Sequence, residues 1–319
     1  MKAMEISEPG RIRLVETDVP KPASGEVVIR LSGCGLCASN IPVWEGRDWF
    51  RYPIEPGSPG HEGWGTIAEV GPDVEVLKAG DRVAVLSSHA YAEFDKARAS
   101  EAIPLPDDLA DDIFLGEPLA CAMNAFARSD ILKGQFVAVV GIGFLGALFV
   151  QLAKNAGAQV YAFSRRETAQ QMALQCGADL VMALDDHESI LQRVREMTNG
   201  KLCARVIEVT GLQRPLELAG ELTAERGRLI IAGYHQDGLR QVNMQLWNWR
   251  GLDVVNAHER DPQVYMEGMK AAIAAVRNGT LRPAFLYTHR FFMEELPEAF
   301  QMLAERPVGY LKGVMQCIS

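Results

Sequence analysis

The chain has 319 residues, of which 48% are hydrophobic and 23% charged, a composition ordinary for a soluble globular protein and long enough for two domains with separate cores. Its net charge of −9 argues against broad nucleic-acid binding, which calls for a basic surface. The opening Met1-Lys2-Ala3-Met4-Glu5 has no signal-like apolar core and no apolar run is long enough to span a bilayer, so the expectation is a cytoplasmic protein with no membrane partner.

The first third reads as β-rich. Arg11–Glu16, Gly25–Leu31 and Gly65–Val70 alternate in polarity, and the turn Lys78-Ala79-Gly80-Asp81 leads into a further strand at Arg82-Val83-Ala84-Val85. Between them lie Pro20-Lys21-Pro22, Pro56-Gly57-Ser58-Pro59-Gly60 and Gly71-Pro72-Asp73, which are turn signals. From Glu117 the period changes, and Pro118–Arg128 has a helical pattern. Six strand candidates then alternate with helical stretches: Phe136–Val140, Gln159–Ser164, Asp179–Ala183, Arg205–Thr210, Arg228–Ala232 and Leu252–Asn256. The connectors include Glu167–Cys176, Ser189–Thr198 and Pro215–Leu222. This alternation predicts an α/β fold with a doubly wound, parallel six-stranded sheet. The tail offers a helix (Val264–Asn278), a strand (Tyr287–Phe291), a helix (Glu294–Glu305) and a last strand (Gly313–Gln316). That exceeds what six strands need, so residues 1–118 and 262–319 are expected to form one domain, with 119–261 inserted as a second.

The first strand of the alternating region ends in Gly141-x-Gly143-x-x-Gly146, with Phe144 and Leu145 opening the helix that follows. Gly141 permits the sharp turn, Gly143 admits phosphates to backbone N–H groups, and Gly146 lets the helix pack on the strand, as a dinucleotide pyrophosphate requires. An ordinary glycine-rich loop is the alternative; the strands that follow favour the dinucleotide. At the end of the next strand stand Ser164, Arg165 and Arg166. A small hydroxyl and two guanidinium groups suit a ribose 2′-phosphate, which favours NADP(H) over NAD(H). Glu167 is the competing signal, since a carboxylate there suits a free 2′-hydroxyl. Thr210 and Gly233 mark the carboxyl ends of later strands, where the nicotinamide half is expected.

The six cysteines are Cys34, Cys37, Cys121, Cys176, Cys203 and Cys317. In a chain of this size they read as buried thiols or metal ligands rather than a disulfide framework. Taken singly, Cys37 reads as a buried thiol and His61 as a structural histidine. Three segments in order, Gly33-Cys34-Gly35-Leu36-Cys37-Ala38-Ser39-Asn40, Gly60-His61-Glu62-Gly63-Trp64-Gly65 and Gly116-Glu117-Pro118-Leu119, followed by the glycine loop, resemble the zinc-containing medium-chain dehydrogenase/reductase family over nearly the whole chain.

The resemblance implies a GroES-like catalytic domain, a Rossmann domain and an active site in the cleft between them. It implies one catalytic zinc held by Cys37, His61 and Glu117, as in the polyol and sugar-alcohol branch, with Glu62 orienting or transiently replacing a ligand. Cys121, one helical turn beyond Glu117, is the alternative third donor, because simple alcohol dehydrogenases use a cysteine near this point. Ser39 matches the family's proton-relay hydroxyl, and Lys312 resembles its contact to a cofactor phosphate. Asn40 departs from the usual Asp, and Pro42 stands where several relatives end the relay with a His. The segment Leu86–Phe94 lacks the four cysteines of a structural zinc site, so no structural zinc is expected. Ser87 and His89 lie near the expected pocket wall. Trp44, Trp49 and Phe50 follow the zinc cysteine, and Arg47, Asp48 and Arg51 among them favour a polar substrate. The implied activity interconverts a secondary alcohol, polyol or sugar-alcohol-like, and a ketone, with NAD(P). A homodimer or homotetramer is expected through Leu252–Asn256, flanked by Trp247 and Trp249, as a free sheet edge. A zinc-free NADPH-dependent reductase of the same fold, or a cofactor-binding protein without turnover, are the rival readings.

Overall fold

The computed structural model describes residues 1–109 and 113–317. The chain divides into two compact units, one of Met1–Ala120, Asp261–Arg277 and Pro283–Ser319, the other of Cys121–Arg260 and Asn278–Arg282.

The first unit opens with an antiparallel ribbon, β1 (Lys2–Glu8) and β2 (Arg11–Glu16). Then come β3 (Glu26–Gly35), the short helix α1 (Ile41–Glu45), and β4 (Gly63–Val70), β5 (Arg82–Val85), β6 (Phe94–Arg98) and β7 (Ala102–Pro104). Helix α2 (Gly116–Ser129) contains the division between the units.

The second unit alternates strand and helix: β8 (Phe136–Val140), α3 (Phe144–Asn155), β9 (Gln159–Phe163), α4 (Glu167–Gln175), β10 (Leu180–Met182), α5 (His187–Met197), β11 (Cys203–Glu208), α6 (Gln213–Leu222), β12 (Thr223–Ile231), α7 (Met244–Arg250) and β13 (Asp253–Asn256). The chain then returns to the first unit with α8 (Pro262–Arg277), β14 (His289–Phe292), α9 (Leu296–Glu305) and β15 (Gly313–Gln316).

In the second unit the sheet order is β10-β9-β8-β11-β12-β13, with every pairing parallel. The order reverses between β9 and β11, on either side of β8, and a ligand binds outside the carboxyl ends of strands at such a switch point. Val137 to Val140 are fully buried, as expected of a strand covered by helices on both faces. Asp186 caps α5 by accepting from the Glu188 and Ser189 N–H groups, which fixes where that helix starts.

In the first unit the main sheet runs β14-β15-β3-β4-β5-β7, with β6 also paired to β3. Strand β3 is the centre, with Val27, Val28, Ile29, Leu31 and Cys34 at no more than 1% exposure. The tail strand β15 pairs antiparallel with the end of β3, Met315 opposite Cys34. Tail residues Phe291, Leu296, Phe300 and Met315 share a core with Ile29, Leu31 and Tyr91.

The start of β12 differs from the sequence expectation for a local reason. Strand β12 starts at Thr223 rather than Arg228, because Arg226 takes a left-handed φ of 54° and interrupts the alternation. Its register against β11 shifts between Cys203 and Arg205. Strands β1, β6 and β7 and helices α1 and α7 carried no clear periodic signal. Among the described residues, no helix is long and apolar enough to cross a membrane.

Candidate active site

The antiparallel pairing of β3 and β4 sets Cys34 opposite Gly63. The residues just after β3 and just before β4 therefore leave the sheet at the same end. Cys37 follows β3 in extended conformation, φ −102° and ψ 140°, before a short 3-10 turn, Ala38–Asn40. His61 and Glu62 immediately precede β4. One donor atom each from Cys37, His61 and Glu62 lie within 4.8 Å of one another. Gly35 has to be glycine, because a Cβ there would collide with the Glu62 carboxylate.

The His61 ring is oriented from behind. Its Nδ1 is 2.9 Å from the Pro59 carbonyl oxygen, which can only accept, so Nδ1 carries a proton and Nε2 is left for the cluster. Asn40 donates to the same carbonyl at 3.2 Å and accepts from the buried Tyr91 hydroxyl at 2.7 Å. Thus a neutral amide, itself held by a phenol, stands where the resemblance expects a carboxylate. Burial alone would lower the His61 pKa. The hydrogen bond to Cys37 and the charges of Cys37, Glu117 and Glu62 outweigh it and push the pKa up to about 10. The negative field that retains a proton there is also one that favours a cation.

Glu62 and Lys312 form a buried ion pair, at 1% and 5% exposure. Lys312 Nζ lies 2.7 Å from Oε1 and 2.5 Å from Oε2 of Glu62 and donates to the Leu36 carbonyl at 3.0 Å. Burial opposes the ammonium charge, but Glu62, Cys37 and Glu117 together raise the Lys312 pKa. Lys312, which the resemblance assigns to a cofactor phosphate, is here packed into the donor cluster. Glu117 occupies the first turn of α2 and acts on both His61 and Lys312 through its charge. Cys121 lies one turn further along α2, in the second unit.

The Ser39 hydroxyl donates to Cys37 Sγ at 3.2 Å. Ser87 lies against Gly63, where a Cβ would collide with its Oγ. His89 turns outward to Glu55, at 3.0 Å. Trp44 and Phe50 pack on the core of the unit, whereas Trp49 is 60% exposed. Arg51 donates to the Asp48 and Phe50 carbonyls, and Arg47 pairs with Glu45.

In the second unit, Gly141 turns the chain out of β8 with φ 104°, and its N–H donates to the Phe163 carbonyl at 2.9 Å. A Cβ on Gly146 would collide with the Gly141 carbonyl oxygen, while nothing lies within 4 Å of the Cβ position on Gly143. Gly143 is the N-cap of α3 and offers no side-chain cap. The start of α3 therefore carries neither a side chain nor a side-chain cap at Gly143, and a helix N-terminus of this kind is suited to a pyrophosphate. At the end of β9, Ser164 is buried, Arg165 is exposed, and Arg166 stands at the N-cap position of α4, without a side-chain cap, and donates to the Ile142 carbonyl at 3.4 Å. Glu167 is in the first turn of α4. Thr210 and Gly233 both lie against the buried Glu208, whose carboxylate accepts from the Thr210 N–H at 2.5 Å.

Sequence reasoning missed Tyr91 and Glu208, and it missed the pairing of Lys312 with Glu62. The last two are 250 positions apart, so no local spacing could signal the pair.

Residues 23–107 match the alcohol dehydrogenase GroES-like domain family, and residues 145–275 match the zinc-binding dehydrogenase family. Human sorbitol dehydrogenase is 27% identical, over 99% of this chain and 95% of that protein. An alcohol dehydrogenase of Geobacillus stearothermophilus is 33% identical, over 70% of this chain and 74% of that one. Among solved structures, 2R,3R-butanediol dehydrogenase of Bacillus subtilis superposes with a TM-score of 0.86 at 24% identity, covering 99% of each chain.

Proposed function

The chain belongs to the zinc-type medium-chain dehydrogenase/reductase family, and from that premise we propose that it is a zinc-dependent dehydrogenase interconverting a secondary alcohol, of polyol or sugar-alcohol type, and a ketone with NADP(H) in preference to NAD(H). Family membership makes it an alcohol-type oxidoreductase; the metal, the cofactor choice and the substrate class are the proposal. The observation that carries it is the grouping of a thiol, an imidazole and a carboxylate within 4.8 Å. Mixed sulfur, nitrogen and oxygen donors suit zinc better than the hard cations that prefer oxygen alone.

Cys37, His61 and Glu62 are the proposed ligands, with Glu117 adding a second carboxylate and Cys121 as the alternative donor. When bound, zinc supplies Lewis acidity that lowers the alcohol's pKa, and the nicotinamide supplies the hydride acceptor or donor. The protein's own residues do the remaining work. The Pro59 carbonyl fixes the His61 tautomer so that Nε2 faces the cluster. Ser39, hydrogen-bonded to Cys37, offers a hydroxyl beside the cluster to take up the substrate proton. Pro42 has no side-chain group to extend that relay, so the next hydroxyl after Ser39 would have to come from the ribose of a bound cofactor or from water. Lys312 offsets part of the anionic charge of the donor set. The clear approach over Gly143 at the start of α3 fits the pyrophosphate. Ser164, Arg165 and Arg166 fit a 2′-phosphate.

Protein prepared without chelator and analysed for metal should carry about one zinc per chain, and a screen of polyols and secondary alcohols with both cofactors should show turnover lost on chelation. Turnover that persists without metal would replace this reading with the zinc-free reductase. Retained cofactor with full zinc and no oxidation across the panel would leave a binding protein. The free edge at β13 supports assembly into a homodimer or homotetramer.

A further inference from the structure

At the carboxyl edge of the second unit's sheet, a closed ring of hydrogen bonds joins two loops. Glu208 ends β11 and is fully buried. Its Oε1 accepts from the Thr210 N–H and hydroxyl and from the Gly211 N–H, at 2.5, 2.5 and 3.0 Å. Its Oε2 lies 2.9 Å from His235 Nε2. The other ring nitrogen, Nδ1, accepts from Arg240 Nε at 3.1 Å. Arg240 Nη2 donates to the Gly211 carbonyl at 3.0 Å, which closes the circuit. The loops also touch backbone to backbone: a Cβ on Gly233 would collide with the Gly211 nitrogen, and Gly211 sits at φ 72° against Tyr234.

The donors and acceptors fix the protonation order. A guanidinium can only donate, so His235 Nδ1 is bare, and its proton is on Nε2, given to Glu208. A buried carboxylate is thereby matched to a cation through one neutral imidazole.

The strand order says what this ring serves. The candidate 2′-phosphate residues follow β9, the glycine turn follows β8, and the ring lies beyond β11 and β12 on the other side of β8. Thr210 touches the Cβ position of Gly141, so the ring begins where the pyrophosphate turn ends. We propose that the Glu208–His235–Arg240 ring is a positioning device that holds loops 209–213 and 233–240 in the shape that receives the nicotinamide end of the dinucleotide. This rests on the dinucleotide reading above.

The test separates the two ends of the cofactor. NADPH and NADH, and the same molecules without nicotinamide (2′-phospho-ADP-ribose and ADP-ribose), are titrated into wild type, His235→Leu and His235→Gln. Leucine should weaken dinucleotide binding about tenfold or more and leave the ADP-ribose compounds within about twofold, since a lost hydrogen bond to a buried charge exceeds a factor of ten. Glutamine, which offers Nε2 to Glu208 and Oε1 to Arg240, should recover most of the loss. Equal weakening of both probe types, no weakening, or no recovery with glutamine overturns the proposal. Wild type that binds the ADP-ribose compounds and the dinucleotides equally well also overturns it, whereas wild type that binds none of the four removes the dinucleotide reading itself. Nitrogen-15 NMR of the wild-type histidines gives a check independent of any variant's folding: His235 should show the Nε2–H tautomer, and an Nδ1–H ring overturns the charge order.

Discussion

Cys37, Glu62 and Glu117 all act through their charge on His61 and on Lys312, and Lys312 is the buried cation paired with Glu62. Removing one partner of a buried ion pair leaves the other charge unpaired, which typically costs about 3–5 kcal/mol. Lys312→Met should therefore lower unfolding free energy by that order in chelator, as read from denaturant midpoints. The double variant Glu62→Gln/Lys312→Met should recover most of it, because no charge is then stranded. Zinc should also reduce the loss in the single variant, by giving the carboxylate a second cation. A single-variant loss below about 1 kcal/mol would mean that solvent reaches the carboxylate after all. Thiol chemistry tests the same unit from another side. Burial pushes the Cys34, Cys176, Cys203 and Cys317 thiols up, Cys176 to about 11 and Cys317 to about 12. At pH 8 these four stay protonated and unreactive. A disulfide-exchange reagent should therefore titrate no more than Cys37 and Cys121 in the native metal-free protein, and all six on unfolding. Zinc should then protect Cys37, and a third fast thiol in the native protein would contradict the burial.

At the scale of elements, the end of β9 carries the proposed cofactor preference. Arg166 precedes α4 and donates to the Ile142 carbonyl in the glycine turn, and Arg165 is exposed beside it. Replacing both with alanine removes the guanidinium donors a 2′-phosphate would use. Each charge-assisted hydrogen bond is worth about 1.5–3 kcal/mol. The double variant should thus lose about 10- to 100-fold in kcat/KM for NADP and stay within about threefold for NAD. An unchanged ratio of the two cofactors would assign the arginines to the surface and return Glu167 to consideration. The elements that place this pair were legible in the sequence, because a buried parallel strand, a glycine and an amphipathic helix each leave a local mark. The unpredicted elements leave weaker ones. Strand β1 buries four successive residues, Ala3 to Ile6, which erases the alternation. Strand β6 buries Asp95, which accepts from the His89 and Lys96 N–H groups, so a polar residue occupies an inward position. Helix α7 has an Asn243 cap and a left-handed Gly251 at its end, yet seven residues are too few to show a period. The Cys37–His61–Glu62 group was legible because its members sit in short motifs; Lys312, Tyr91 and the Glu208 ring join them only through the fold.

At the scale of the whole molecule, the six-stranded sheet has two unlike edges. Strand β10 has three residues, too short to template much pairing. Strand β13 presents a longer edge, and Trp249 just before it is 88% exposed. The hydrogen-bond register shows which groups are free to pair. The Ala257 N–H donates inward to the Ile231 carbonyl at 2.8 Å. Alternate residues of a strand face the same neighbour, so the Val255 and Asp253 N–H groups also point inward, and those of Val254 and Asn256 point to the open edge. Val254 packs on the core of the unit, whereas Asn256 is exposed. Proline at Asn256 would delete an outward N–H and spare the inward ladder. Light scattering after size exclusion should show the wild type as a dimer or tetramer and Asn256→Pro shifted toward monomer, with unchanged circular dichroism. A wild-type monomer, or an oligomer that Asn256→Pro leaves intact, would move the assembly surface away from β13.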